Sequence, residues 1–361
     1  MKPNALVSAE TVGSDFVDKA AADRGLHDRG GAFARNTAPR KSFLEEGSVL
    51  GKLLQQFFRL GWRQRWTVAR VHLRDGRFQR SLSLVAGASS VLSGLEVSYE
   101  HYRGSYGQRV MWTPVVLSAA LTGAGLLGCV SPRFARTWLR WISVVTLADS
   151  VIGFGFHVRG IARKPGGWSM PVTNIVMGPP IFAPLLFGVS AYLGLIASYL
   201  QPEEAETLEL NESHEGEGDT RVASWRSDIR NGRFQKHLAL ATAFSAFFSG
   251  FEALYSHYKT NFKYKAQWTP VIIAPLLTTV ALASIRSKKI ARTALPVMSA
   301  LAIADGAVGF YFHARGVVRR PGGLKKPIYN VMYGPPIFAP LLFAACGALG
   351  LLACFMRRED R

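Results

Sequence analysis

The chain has 361 residues, 48% of them hydrophobic, with 43 Lys and Arg against 24 Asp and Glu and a formal net charge of +19. So high an apolar fraction beside long polar tails argues against an ordinary soluble protein and suits a polytopic membrane protein. The charge does not mark nucleic-acid binding, because the basic residues flank the apolar runs, where membrane topology places them, and no recognition helix, zinc finger or aromatic RNA-binding motif accompanies them.

Residues 1–46 mix acids, bases and glycines with no apolar h-region, so they read as a disordered cytoplasmic tail without a cleavable signal peptide. In residues 47–73, Leu53, Leu54, Phe57, Leu60 and Trp66 interleave with Lys and Arg. That pattern predicts a basic amphipathic segment lying on the inner leaflet.

From about Arg74 the sequence contains itself twice. Gly76-Arg77-Phe78-Gln79 recurs 156 residues on as Gly232-Arg233-Phe234-Gln235, and Trp112-Thr113-Pro114 recurs as Trp268-Thr269-Pro270. Gly178-Pro179-Pro180-Ile181-Phe182-Ala183-Pro184 recurs as Gly334 through Pro340, with no insertion or deletion up to Leu200. A fixed period marks a repeated structural unit. Each half holds four apolar runs of roughly 17 to 22 residues, the length that crosses a hydrocarbon core of about 30 Å. They fall near 82–100, 114–131, 138–157 and 179–200, then 238–256, 270–286, 294–312 and 335–356; the second and sixth are short and rich in small residues.

The expected fold is therefore all-α: eight transmembrane helices as two tandem four-helix repeats, 74–200 and 228–356, in parallel orientation. The connecting stretch, 201–227, carries Glu203, Glu204, Glu206, Glu209, Glu212, Glu215, Glu217 and Asp219 and reads as an acidic, solvated linker. An even number of spans per half puts both termini on one face. That face carries Arg133, Arg136 and Arg140, then Arg286, Lys288, Lys289 and Arg292, and is the more basic. It is expected to be the cytoplasmic face of the cell (inner) membrane.

Cys129, Cys346 and Cys354 fall inside spans, and their counterparts are Ile285, Ser190 and Ser198. A disulfide framework is not expected. Gly123-Ala124-Gly125-Leu126-Leu127-Gly128 sits within an apolar span and reads as close helix packing, not as a dinucleotide loop. Gly178-Pro179-Pro180 lacks the GxxxxGK[ST] pattern of a phosphate loop.

The polar residues common to both halves are the lead to function. Ser89, Ser93 and Glu96 share one helical face at i, i+4 and i+7 and recur as Ser245, Ser249 and Glu252. His101 follows, with His257 as its counterpart. Asp149, Gly153 and His157 form a second stripe, matched by Asp305, Gly309 and His313. Arg159 and Arg163, paired with Arg315 and Arg319, come next, and Asn174 pairs with Asn330 in the loop beyond. At 1.5 Å per residue, Glu96 lies about 7 Å below His101, and Asp149 about 12 Å below His157. Thr113 is expected to cap the second span and Pro114 to begin it. All these groups are expected to converge on one bowl per half at the outer face. Carboxylates within a span are costly and mark function by default.

Glu96, His101, Asp149 and His157, with Glu252, His257, Asp305 and His313, make two-His, two-carboxylate sets of the kind that bind iron or another transition metal. Two histidines on separate helices also suit haem b. Glu96 and His101, five residues apart, point about 140° apart on a helix, so they are not a simple ligand pair. Arg159, Arg163, Asn174 and their counterparts Arg315, Arg319 and Asn330 are candidates for gripping a substrate or anion. The leading expectation is redox chemistry at a bound metal or haem. The alternatives are an ion-coupled transporter or channel, a non-catalytic subunit anchoring membrane-complex partners, and lipid-directed catalysis with His157 as base. In every case the lipid bilayer is the surrounding partner.

Overall fold

A computed structural model describes residues 62–203 and 221–356, which belong to one compact unit, residues 46–361. The tail 1–46, residues 47–61 of the amphipathic segment, most of the acidic linker (204–220) and the last five residues, Arg357 and Arg358 among them, lie outside the described residues.

Among the described residues the fold is all-helical. In chain order come α1 (Trp62–Arg74), α2 (Gln79–Arg103), α3 (Thr113–Val130), α4 (Arg140–Ala162), α5 (Pro171–Val176) and α6 (Ala183–Ala197). Then follow α7 (Arg221–Arg230), α8 (Gln235–Tyr258), α9 (Thr269–Arg286), α10 (Ala294–Val318), α11 (Pro327–Met332) and α12 (Ala339–Phe355). Six helical stretches are long and apolar enough to cross a membrane: Gln79–Arg103, Arg109–Val130, Pro132–Ala162, Gln235–Tyr258, Lys265–Arg286 and Ala294–Val318. Val116, Val151, Ile272 and Val308 project from them into the surroundings, as lipid-facing side chains do. Trp138 and Trp141 are exposed toward one end of the helices and Trp112, Trp168 and Trp268 toward the other, where aromatic belts sit.

The short helices are not the ones the sequence pattern suggests. The second and sixth runs extend to 22 residues each, because a 3-10 turn leads into α3 and into α9. The fourth and eighth shrink instead, to 15 and 17 residues, about 22 and 26 Å of helix. Proline lacks an amide hydrogen and biases the residue before it to extended backbone. Gly178-Pro179-Pro180 and Gly334-Pro335-Pro336 therefore delay the helix to Ala183 and Ala339. The helix α7 also begins inside the stretch expected to be linker.

The packing forms two rings. α2 lies against α3 and α6, and α4 also lies against α3 and α6; α8, α9, α10 and α12 repeat that arrangement. The rings meet through α2 with α12 and α6 with α8. At one end the two Gly-Arg-Phe turns touch backbone to backbone. Gly76 and Gly232 have φ of +70° and +68°, and a Cβ on Gly76 would lie 2.7 Å from the Gly232 nitrogen. Beside them the buried rings of Phe78 and Phe234 stack, 6.2 Å apart. Within a ring, Gly125 admits the backbone of α2, since a Cβ there would lie 2.6 Å from Ser83 O; Gly123 faces open space.

The capping of α2 comes from far along the chain. The Glu203 carboxylate accepts hydrogen bonds from the backbone N–H of Arg80 (3.1 Å) and Ser81 (3.0 Å). It satisfies amides that a helix start leaves open, and its charge suits the helix dipole.

Gly76→Ala is expected to lower stability by about 1–3 kcal/mol, through left-handed strain and backbone overlap. Gly123→Ala should be close to neutral. Thermal unfolding of the detergent-solubilised variants checks this, and equal shifts for both would remove the turn contact as a stability determinant.

Candidate functional site

The interruption before α6 organises one cluster of shared residues. Along α4, Gly153 faces Pro184 and Gly160 faces Pro179, each close enough that a Cβ would lie 3.2 Å from the proline ring. Between them His157 Nδ1 stands 2.6 Å from Pro180 O, so Nδ1 carries the proton and donates it. The other half repeats this contact, with His313 Nδ1 2.5 Å from Pro336 O. His101 Nδ1 likewise meets Met111 O at 2.7 Å. In the neutral form of each imidazole Nε2 keeps a lone pair.

The aspartates belong to a different contact. Thr113 Oγ1 is 2.7 Å from Asp149 Oδ1, and Thr269 Oγ1 is 2.5 Å from Asp305 Oδ1. Thr113 thus does not cap α3 as its position suggested. The preceding 3-10 turn already carries the backbone into the helix, and the hydroxyl, 3.0 Å from Val110 O of that turn, also bridges to α4. Asn174 and Asn330 are buried, and their Nδ2 groups donate to loop carbonyls: Pro165 and Gly167 in one half, Pro321 and Gly323 in the other. Their amide donors are engaged in holding the loops. Arg159, Arg163, Arg315 and Arg319 are exposed at the ends of α4 and α10.

The glutamates leave these clusters for the boundary between the rings. Glu252, on α8, lies beside the backbone N–H of Ala183, the first residue of α6 in the other ring, an amide that also donates to Pro180 O at 3.4 Å. Its Oε1 is enclosed and has no hydrogen-bond partner. The charges of Glu96 and Glu100 on α2 act on it directly. Arg103 lies 3.7 Å from Glu100, and Lys259 also faces Glu100. Partial desolvation holds the Lys259 ammonium below the usual lysine range, and Glu100 opposes that shift. Phe182 closes the contact, its ring centroid 4.0 Å from Phe248 and 5.4 Å from Phe251. Glu100 escaped the comparison of halves because Ser256 stands at its counterpart. Its spacing of four from Glu96, on the same helical face, is the feature that could have found it.

The serine stripes line a cavity at this boundary, about 250 Å³, between α2, α6, α8 and α12. Ser89, Ser93 and Ser190 face it from one ring, and Ser245, Ser249 and Cys346 from the other. Glu96 and Glu252 follow Ser93 and Ser249 by three residues, about one helical turn further along.

Among the described residues, no three or more His, Cys, Asp and Glu side chains are grouped to hold a metal ion. In the second half the His257 and His313 ring centroids stand 6.4 Å apart, with the rings nearly perpendicular. The architecture is that of a multi-pass helical membrane protein with polar groups gathered between its helices. The chain matches no described protein family, no curated protein and no solved structure.

A double-mutant cycle of Thr113→Val with Asp149→Ala should return a coupling of about 1.5–3 kcal/mol, as for a hydrogen bond to a charged group. Equilibrium unfolding of the four proteins measures it; additivity would show that the bridge holds nothing together.

Proposed function

We propose that this chain is an ion-coupled membrane transporter or channel in which Glu96, Glu100 and Glu252 bind a cation, the proton included. The observation that carries the reading is Glu252. It is a carboxyl group at membrane depth, beside the first amide of an interrupted helix of the other ring, with one enclosed oxygen unpaired. Carriers use helices that begin part-way across the bilayer in this manner, with their amide ends toward acidic groups. Carboxylates whose charges act on one another are relieved when a proton or another cation joins them. Arg103 and Lys259 are resident cations that a transported ion would displace or neutralise in part.

The same proposal takes the chain as eight spans in two tandem repeats of parallel orientation, with both termini cytoplasmic in the cell membrane. The matched contacts support it: His157 with Pro180 and His313 with Pro336, Thr113 with Asp149 and Thr269 with Asp305. The interruption allows α6 and α12 to complete a crossing together with the extended residues before them.

A second reading, metal or haem binding, rests on the His257–His313 pair. In this pair His313 has its Nδ1 held by a backbone carbonyl, the form that ligates through Nε2 when neutral.

Protein reconstituted into vesicles with an internal pH dye is expected to dissipate an imposed proton gradient. Glu252→Gln, which retains shape but not charge, should slow that flux by about tenfold or more, equivalent to at least about 1.4 kcal/mol. Wild-type flux no faster than that of empty vesicles would remove proton transport. For the second reading, elemental mass spectrometry should find stoichiometric iron, copper or zinc that His257→Ala and His313→Ala lose. A metal-free, folded sample purified without chelators would end it.

A further inference from the structure

The cavity between the rings has walls of Leu186, Leu193, Leu342 and Leu349, and its polar groups are hydroxyls and one thiol. Some of these are satisfied within the protein: Ser89 Oγ donates to Ala86 O at 3.0 Å, and Ser249 Oγ meets Cys346 Sγ at 3.6 Å. Ser245 is buried, and its enclosed Oγ has no hydrogen-bond partner.

We propose that this cavity binds the acyl chain of a membrane lipid, with one oxygen of that lipid hydrogen-bonded to Ser245. Water is a poor occupant, because a buried water needs two to four polar partners and an apolar cavity of about 150 Å³ already stays dry and takes up benzene. The 250 Å³ here exceeds that, and leucines dominate its walls. An occupant must come from the surroundings of the helices, which are hydrocarbon, so lipid is present at very high effective concentration. Moving a chain from bilayer to cavity yields no hydrophobic gain, since lipid tails are as apolar as leucine. Retention therefore depends on van der Waals fit and on the Ser245 hydroxyl, which otherwise stays unpaired in an apolar place. The asymmetry sets the direction of binding, for the counterpart hydroxyl of Ser89 is already engaged. This inference rests on the membrane setting alone and not on ion coupling by the glutamates.

The probe is a phosphatidylcholine with a photoreactive diazirine in one acyl chain, diluted into nanodiscs of ordinary phosphatidylcholine around the full chain. On illumination, label is expected to concentrate in peptides spanning 186–193 and 342–349, about tenfold over the lipid-facing stretch 151–156, a preference of about 1.4 kcal/mol. Ala348→Phe and Ala345→Phe each fill the cavity and should reduce that label to the level of 151–156. Ser245→Ala should reduce it roughly fivefold, the effect of one hydrogen bond of about 1 kcal/mol. Unchanged labelling of 151–156 and a retained thermal transition identify folded variants. Glu252→Gln should leave the cavity label intact, so that failure of ion coupling and failure of lipid binding are separate results. Even labelling of all lipid-accessible helices would overturn the proposal, as would cavity label that survives both filling variants.

Discussion

A helix that starts late, after two prolines, leaves buried backbone amide and carbonyl groups that need partners inside the protein. Gly178-Pro179-Pro180 creates this demand and much of the architecture answers it. Two prolines in succession supply carbonyls but no amides, and the chain resumes its helix only at Ala183. Pro180 O accepts from His157 Nδ1 of α4 and from the Ala183 amide, and Glu252 of the other ring approaches that amide. Glycines at 153 and 160 let α4 approach the proline rings closely enough for the histidine to reach. The histidine, the glycines and the glutamate are thus complementary parts of one solution to a backbone problem. An ion-binding role would be added to it.

That linkage distinguishes the two kinds of shared residue. The His–carbonyl and Thr–Asp contacts close within a ring and recur in the other with nearly the same distances. They stabilise helix packing in both halves alike. The glutamate contact crosses between rings and is not symmetric. Glu252 meets Glu96 and Glu100, but the position matching Glu100 is Ser256. The contact at this boundary therefore has unequal halves. The rigid end of that boundary is the Gly76–Gly232 contact, where the backbones leave no room to slide.

Several of these features were legible in the sequence. The spacing of Ser89, Ser93 and Glu96 gives one helical face, and the serines do share a wall of the cavity. The period of 156 residues pairs every contact that repeats. The two short helices were not legible, because apolar runs of similar length conceal where paired prolines keep the residues before them out of the helix. The expected bowl in each half did not form as one unit either. Spacing along a helix reports which residues share a face but not which neighbour that face meets. Asp149 and His157 lie on one stripe, yet the first turns to Thr113 of α3 and the second to the loop before α6. Glu96 and Glu252 face across the boundary for the same reason: α2 and α8 present that side to the opposite ring.

The histidines show how one geometry serves two chemistries. A donor at Nδ1 fixed on a carbonyl holds the ring and assigns the tautomer, and this is complete as a structural role. The same bond is what prepares Nε2 for a metal, so the contact alone does not separate the two. The neighbours do. Ligation needs further donors around the lone pair, and among the described residues none assemble into a set of three. The described glutamates form no such set of three either, but Glu252 has an enclosed oxygen without a hydrogen-bond partner. A buried carboxyl oxygen without a donor is destabilising unless something else binds there. The greater chemical potential for binding therefore lies with the carboxylates between the rings, and the histidines have an adequate explanation in the interrupted helix they support.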